Sequence, residues 1–126
     1  MLKQILIADD NTTVRHILRR FLQARRGVKV CGEAANGFEA VEEAKRLRPD
    51  LVLLDLAMPE MNGVEAASVL KKTMPHVFII VFTMFSENMG TKLASAVGVD
   101  LVLSKPDGMR ALAEAVDLLC ESGRVV

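Results

Sequence analysis

The sequence predicts an α/β domain: a five-stranded parallel sheet, doubly wound, with helices on both faces. Three observations predict it. Short apolar runs alternate with amphipathic stretches along the whole chain of 126 residues. The runs are apolar at successive positions rather than at every second one, as in strands buried on both faces. The stretches between them are long enough for the helical crossovers that parallel neighbours require.

The elements follow in order. After the first run, residues 5–8, Val14, Ile17, Leu18, Phe21 and Leu22 form one apolar stripe at helical spacing. Arg15, Arg19, Arg20, Arg25 and Arg26 fall elsewhere and read as a solvated face. Asp10, Asn11 and Thr12 offer oxygens to cap this helix, and Gly27 ends it. The second run, 28–30, leads to a helix over residues 37–48, with Asn36 before it and Pro49 after it. The third run, 51–54, is followed by Asn62-Gly63 and a helix that stops before Pro75. The fourth, 77–82, precedes a helix over residues 88–97 that stops at Gly98. The fifth, 101–103, leads to a last helix over residues 108–120, which aligns Met109, Leu112, Val116 and Leu119. No linker or repeat divides the chain, so residues 1–126 read as one domain.

Composition narrows the function. The formal net charge is zero, whereas a domain that binds nucleic acid by itself usually carries a basic excess. Cys31 and Cys120 form no CxxC pair, and with no secretory leader they are expected to be reduced thiols of a cytoplasmic protein. No apolar run approaches the roughly 20 residues needed to span a bilayer, so no membrane partner is expected.

The polar residues that break the apolar pattern share one kind of place. Asp9 and Asp10 follow the first run, Asp55 the third, Thr83 the fourth and Lys105 the fifth. All would stand at the carboxyl edge of the sheet, where open α/β folds bind ligands. In the flavodoxin-like strand order 2-1-3-4-5, the commonest for five such units, Asp9, Asp10 and Asp55 face one another across the switch point. Crowded carboxylates repel and need a cation. Oxygen ligands without His or Cys favour a hard ion, Mg²⁺ or Mn²⁺. A lysine and a hydroxyl on the same rim suit the oxygens of a phosphoryl group. Taken singly, Asp9-Asp10 reads as a turn and a cap, Asp55 as a turn former, Thr83 as a strand end and Lys105 as a surface lysine. Their joint placement selects phosphoryl transfer.

The sequence resembles the receiver domains of bacterial two-component response regulators. The resemblance runs from Ile5-Leu6-Ile7-Ala8-Asp9-Asp10 through Leu53-Leu54-Asp55-Leu56-Ala57-Met58-Pro59 to Ser104-Lys105-Pro106. It implies that Asp55 accepts a phosphoryl group from a phosphohistidine of a histidine kinase or phosphotransfer protein. It also implies Mg²⁺ held by Asp10, Asp55 and the backbone carbonyl of Ala57, with Asp9 acting through water. Lys105 would neutralise charge, Thr83 would be the switch hydroxyl, and the Lys105–Pro106 peptide would be cis. No separate substrate would be turned over. A homodimer on phosphorylation is a further implication, DNA binding would arise only if an output domain follows Val126, and the Arg-rich first helix would be the alternative docking face for the kinase. The stretch from Gly32 to Gly37 resembles receivers joined to helix-turn-helix domains.

Three departures stand out. Val102 occupies a position where the family often has an aromatic residue, and Met84 one that is commonly small. Ala57 and Phe85 carry no polar group to orient a hydrolytic water. Met84, Phe85 and Met89 either fill the core or form an adaptable partner patch. Three rival readings fit the residues less well. An FMN binder is opposed by the acidic Asp9-Asp10, because the cofactor's phosphate would be repelled. An aspartate-nucleophile phosphatase lacks room here for a cap. A phosphorylation-independent interaction module is opposed by the complete acceptor set.

Overall fold

Every strand of the sheet runs parallel to its neighbours, and the five strands, counted along the chain, stand in the order 2-1-3-4-5. A computed structural model describes residues 2–56, 58, 60–83 and 97–122. The elements are β1 (Lys3–Ala8), α1 (Thr12–Gln23), β2 (Val28–Ala34), α2 (Gly37–Leu47) and β3 (Leu51–Leu54). They continue with α3 (Gly63–Thr73), β4 (Phe78–Thr83), β5 (Leu101–Ser104) and α4 (Lys105–Ser122). The expected strand order and flavodoxin-like arrangement are therefore present. The helix expected over residues 88–97 lies outside the described residues, apart from Val97, which stands in the turn before β5.

The continuous apolar runs are explained by two cores, one on each face. Ile5, Ile7, Leu51, Leu53, Ile80 and Phe82 point to α1 and α4, where Leu18, Leu22, Leu112 and Val116 meet them. Leu6, Ala8, Val52, Leu54, Ile79 and Val81 point to α2 and α3, against Ala40, Val41, Ala44, Ala66, Ala67 and Leu70. Alternate residues of one strand thus feed opposite cores, the period of two that a pleated strand imposes.

Helix starts are set by asparagines. Asn11, Asn36 and Asn62 accept from the backbone N–H of Val14, Glu39 and Glu65. At α3 the Glu65 side chain also accepts from the Asn62 N–H, a complete capping box. Helix α2 ends with Arg48 in the left-handed conformation just before Pro49.

Several boundaries differ from expectation. Ile17 is 56% exposed and stands off the buried stripe of α1. Strand β2 runs on to Ala34 because an edge strand pairs on one side only, so its second half need not be apolar. Helix α4 begins at Lys105, with Pro106 in the first turn, where a missing N–H costs no helical bond. No peptide bond among the described residues is cis, against the cis Lys105–Pro106 linkage that the resemblance implies.

A bulge in β2 matters for the site. Ile5 pairs with Val30 and Leu6 with Gly32, so Cys31 is the extra residue. One inserted residue exchanges the faces of everything after it. Val28 and Val30 point to α1, Ala34 points to α2, and Glu33 is thereby turned back toward α1. The Cys31 thiol donates to the Ile5 carbonyl at 3.5 Å, and burial pushes its pKa up. Cys120 is likewise raised by burial and donates to the Gly27 carbonyl, which makes both free thiols weak nucleophiles.

Candidate functional site

The sheet register brings the acidic residues together. Ala8, Leu54, Val81 and Val102 lie in one row across β1, β3, β4 and β5. Asp9 and Asp55 come one residue after this row, and the Asp55 N–H donates to the Ala8 carbonyl at 3.0 Å. The Asp9 N–H donates to Ala34 on the other side, also at 3.0 Å. Both aspartates are therefore fixed by their backbones before their side chains are considered.

One carboxylate oxygen from each of Asp9, Asp10 and Asp55 lies within 4.8 Å of the other two. Asp9 and Asp55 are the buried polar or charged residues among those described, at 2% and 8% exposure, while Asp10 is exposed. Burying carboxylates side by side costs solvation and adds mutual repulsion, and a structure retains such a group where something offsets it. Opposite oxygens on an octahedral cation with ligands at about 2.1 Å stand about 4.2 Å apart, so the cluster has the size of one hard ion's shell. The donor set is all oxygen, which fits Mg²⁺ or Mn²⁺ and excludes a thiolate-type zinc site.

The other expected site residues fall on the same rim. Thr83 is the last residue of β4, in register with Ser104, and Lys105 follows at the start of α4. Ala57, whose carbonyl is an expected ligand, lies outside the described residues, as do Met84, Phe85 and Met89. Val102 packs into the core on the α2 and α3 face beside Val81.

Two glycines hold the loop after Asp55. The Gly37 N–H donates to the Met61 carbonyl at 2.8 Å and the Gly63 N–H to the Leu56 carbonyl at 3.0 Å. A Cβ on Gly37 would stand 2.1 Å from the Met61 oxygen, and one on Gly63 only 2.3 Å from the Asp55 oxygen. The starts of α2 and α3 thus stand directly against the backbone of Asp55, Leu56 and Met61.

The arginines of α1 are not simply a solvated face. Arg15 and Arg19 grip the two oxygens of Glu33, at 3.0 and 2.6 Å. Burial works to raise the Glu33 carboxyl, but hydrogen bonds and charge from Arg19 and Arg15 outweigh it and hold the group below its ordinary value. A depressed carboxylate contributes stability above its unfolded pKa and loses it as pH falls through the folded one. Glu33→Gln is therefore expected to lower stability by about 1 kcal/mol at pH 7. The gap should close below about pH 4, as read from urea melts across pH. A gap independent of pH would show that the charge plays no part.

Sequence reading missed this triad because the faces of β2 cannot be assigned without the bulge. Its only trace is Arg15 and Arg19 at i, i+4 spacing, which puts both on one helix face.

Comparison with known proteins agrees with this geometry. Residues 5–117 match the response regulator receiver domain family. The response regulator protein VraR of Staphylococcus aureus is 36% identical over 113 residues, 90% of this chain and 54% of that protein. The chain thus spans about half the length of the curated relatives it matches. The receiver domain of the response regulator AraT from Geobacillus stearothermophilus is 32% identical with a TM-score of 0.85, covering 97% of this chain and 95% of that one. The response regulator domain of Thermotoga maritima CheB is 28% identical with a TM-score of 0.84, covering 97% and 96%. Fold, rim and family match converge, and the chain belongs to the response regulator receiver domain family of two-component signalling.

Proposed function

We propose that residues 1–126 act as one phosphoacceptor unit, with Asp55 as the acceptor. The partner is a histidine kinase or a phosphotransfer protein carrying a phosphohistidine. An Asp55 carboxylate oxygen attacks phosphorus, the N–P bond breaks, and its electron pair leaves with the imidazole nitrogen, which is then protonated. Asp10, Asp55 and the carbonyl of Ala57 would hold Mg²⁺ or Mn²⁺, with Asp9 acting through water. When bound, the metal supplies charge neutralisation for the transferring group. Lys105 adds a fixed positive charge at the same rim. The acyl phosphate brings nearly two negative charges into the site, and Thr83 moves to donate to it. That movement biases a pre-existing two-state equilibrium, and small Val102 gives the switch more room than an aromatic residue would.

The single observation that supports this reading is the convergence of three carboxylates, two of them buried, within 4.8 Å at the carboxyl edge. The chain catalyses only its own phosphorylation and dephosphorylation and turns over no separate substrate. We place it in the cytoplasm, in keeping with its membership of the receiver domain family. Homodimerisation follows phosphorylation, and DNA contact arises only if an output domain follows Val126.

Beryllium fluoride tests the reading, because it mimics a phosphoryl group on a carboxylate. Added with Mg²⁺ at a hundredfold excess over Kd, it should raise the unfolding midpoint by about 8 °C. Either component alone should do much less. Unfolding is followed by circular dichroism, since the chain has no Trp or Tyr. No added shift from the combination would count against an acceptor site.

A further inference from the structure

We infer that Arg15 is a positioning residue for the acidic rim, fixing the Asp9–Asp10 turn so that its carboxylates are set for a divalent cation. The inference rests on the metal-binding reading proposed above. The Arg15 side chain is only 14% exposed, and its donors end on three different elements. Nη1 donates to the Asp9 carbonyl at 2.6 Å, Nε to Glu33 at 3.0 Å and Nη2 to Thr12 Oγ1 at 3.3 Å. The end of β1, the end of β2 and the start of α1 therefore meet on one guanidinium.

The Asp9 carbonyl belongs to the peptide that leads into Asp10, so its orientation sets where Asp10 is carried. The rest of the turn is held independently: the Asp9 N–H by Ala34 at 3.0 Å, and the Asn11 N–H by Asp9 Oδ1 at 2.9 Å. Arg15 closes the remaining side. Without it, repulsion among three carboxylates can splay the turn outward, and a cation must then restore the geometry at the expense of affinity.

A guanidinium beside an acidic cluster carries an opposite hazard, because it can enter the cluster and compete with the cation. Glu33 prevents this. The bulge at Cys31 turns Glu33 to the α1 face, where it engages Arg15 at Nε while Arg19 takes its second oxygen at 2.6 Å. Arg15 is thus oriented to offer Nη1 to a main-chain oxygen of the turn.

The direction of the effect separates positioning from simple charge. If Arg15 acted only as a nearby cation, its removal would tighten metal binding. If it positions the turn, removal weakens it, as loss of outer-shell partners does. Mn²⁺ is titrated into wild type, Arg15→Ala, Glu33→Gln and Asp10→Asn, with free Mn²⁺ read by electron paramagnetic resonance. Arg15→Ala is expected to bind about tenfold more weakly, and Glu33→Gln to fall between it and wild type. The Mg²⁺ concentration that half-saturates labelling by acetyl phosphate should rise in parallel, while the rate at saturating metal stays within about twofold.

Equal or tighter Mn²⁺ binding by a folded Arg15→Ala overturns the inference. If that variant does not fold, unchanged affinity in Glu33→Gln overturns it. Wild type that binds no Mn²⁺, or Asp10→Asn that binds it like wild type, overturns the metal-site reading itself.

Discussion

Asp55→Ala is expected to take up no phosphoryl group from acetyl phosphate and Mg²⁺ under conditions in which the wild type gains one. The effect is expected to be all or none, because the variant lacks the attacking oxygen rather than a group that helps it. Misfolding does not account for such a result. The backbone of Asp55 is fixed by its N–H bond to Ala8 at 3.0 Å and by β3, which is buried throughout between β1 and β4. Alanine keeps that N–H and fits the buried space. Intact mass reads the label, and circular dichroism of both proteins shows the fold retained. Equal labelling of the two proteins would move the acceptor elsewhere.

Gly63→Ala is the second large effect, and it acts on the scaffold of the same site. Gly63 is the first residue of α3, directly after the Asn62 cap, where alanine would ordinarily be favoured by about 1 kcal/mol. Here a Cβ would stand 2.3 Å from the Asp55 oxygen and 2.9 Å from the Leu56 Cα. Both are backbone atoms, so no rotamer change relieves the contact. Either α3 retreats, stretching the 3.0 Å bond from Gly63 to the Leu56 carbonyl, or the end of β3 shifts with Asp55. Net destabilisation of about 3 kcal/mol is expected, read from urea or thermal melts. Stability within 0.5 kcal/mol of wild type, about the noise of a neutral surface change, would show that the two segments separate easily.

The contrast between these two residues shows what the sequence could disclose. Asp55 was legible because a continuous apolar run ends at Leu54 and a charged residue follows at a place where the fold class puts ligands. The same logic located Asp9, Asp10, Thr83 and Lys105, each just past an apolar run. Asn62-Gly63 was legible as a helix start, but the reason for glycine was not. It depends on how closely α3 approaches the backbone of Asp55, and no local pattern encodes that distance. Arg15 and Glu33 were hidden for a related reason. The i, i+4 arginines look solvated until the bulge at Cys31 and the edge position of β2 are known. Ile17 shows the converse error: it fits the helical stripe by spacing, yet the sheet beneath α1 does not reach it.

The central claim is that Asp55, and not its neighbours Asp9 and Asp10, carries the phosphoryl group. Borohydride reduces an acyl phosphate to the alcohol, so a phosphorylated aspartate is converted to homoserine and is then visible in a peptide map. Wild-type protein labelled with acetyl phosphate and Mg²⁺, reduced and digested, is predicted to carry the mass change of homoserine at position 55 alone. The same change at position 9 or 10, or label without any reducible aspartyl phosphate, would contradict the account.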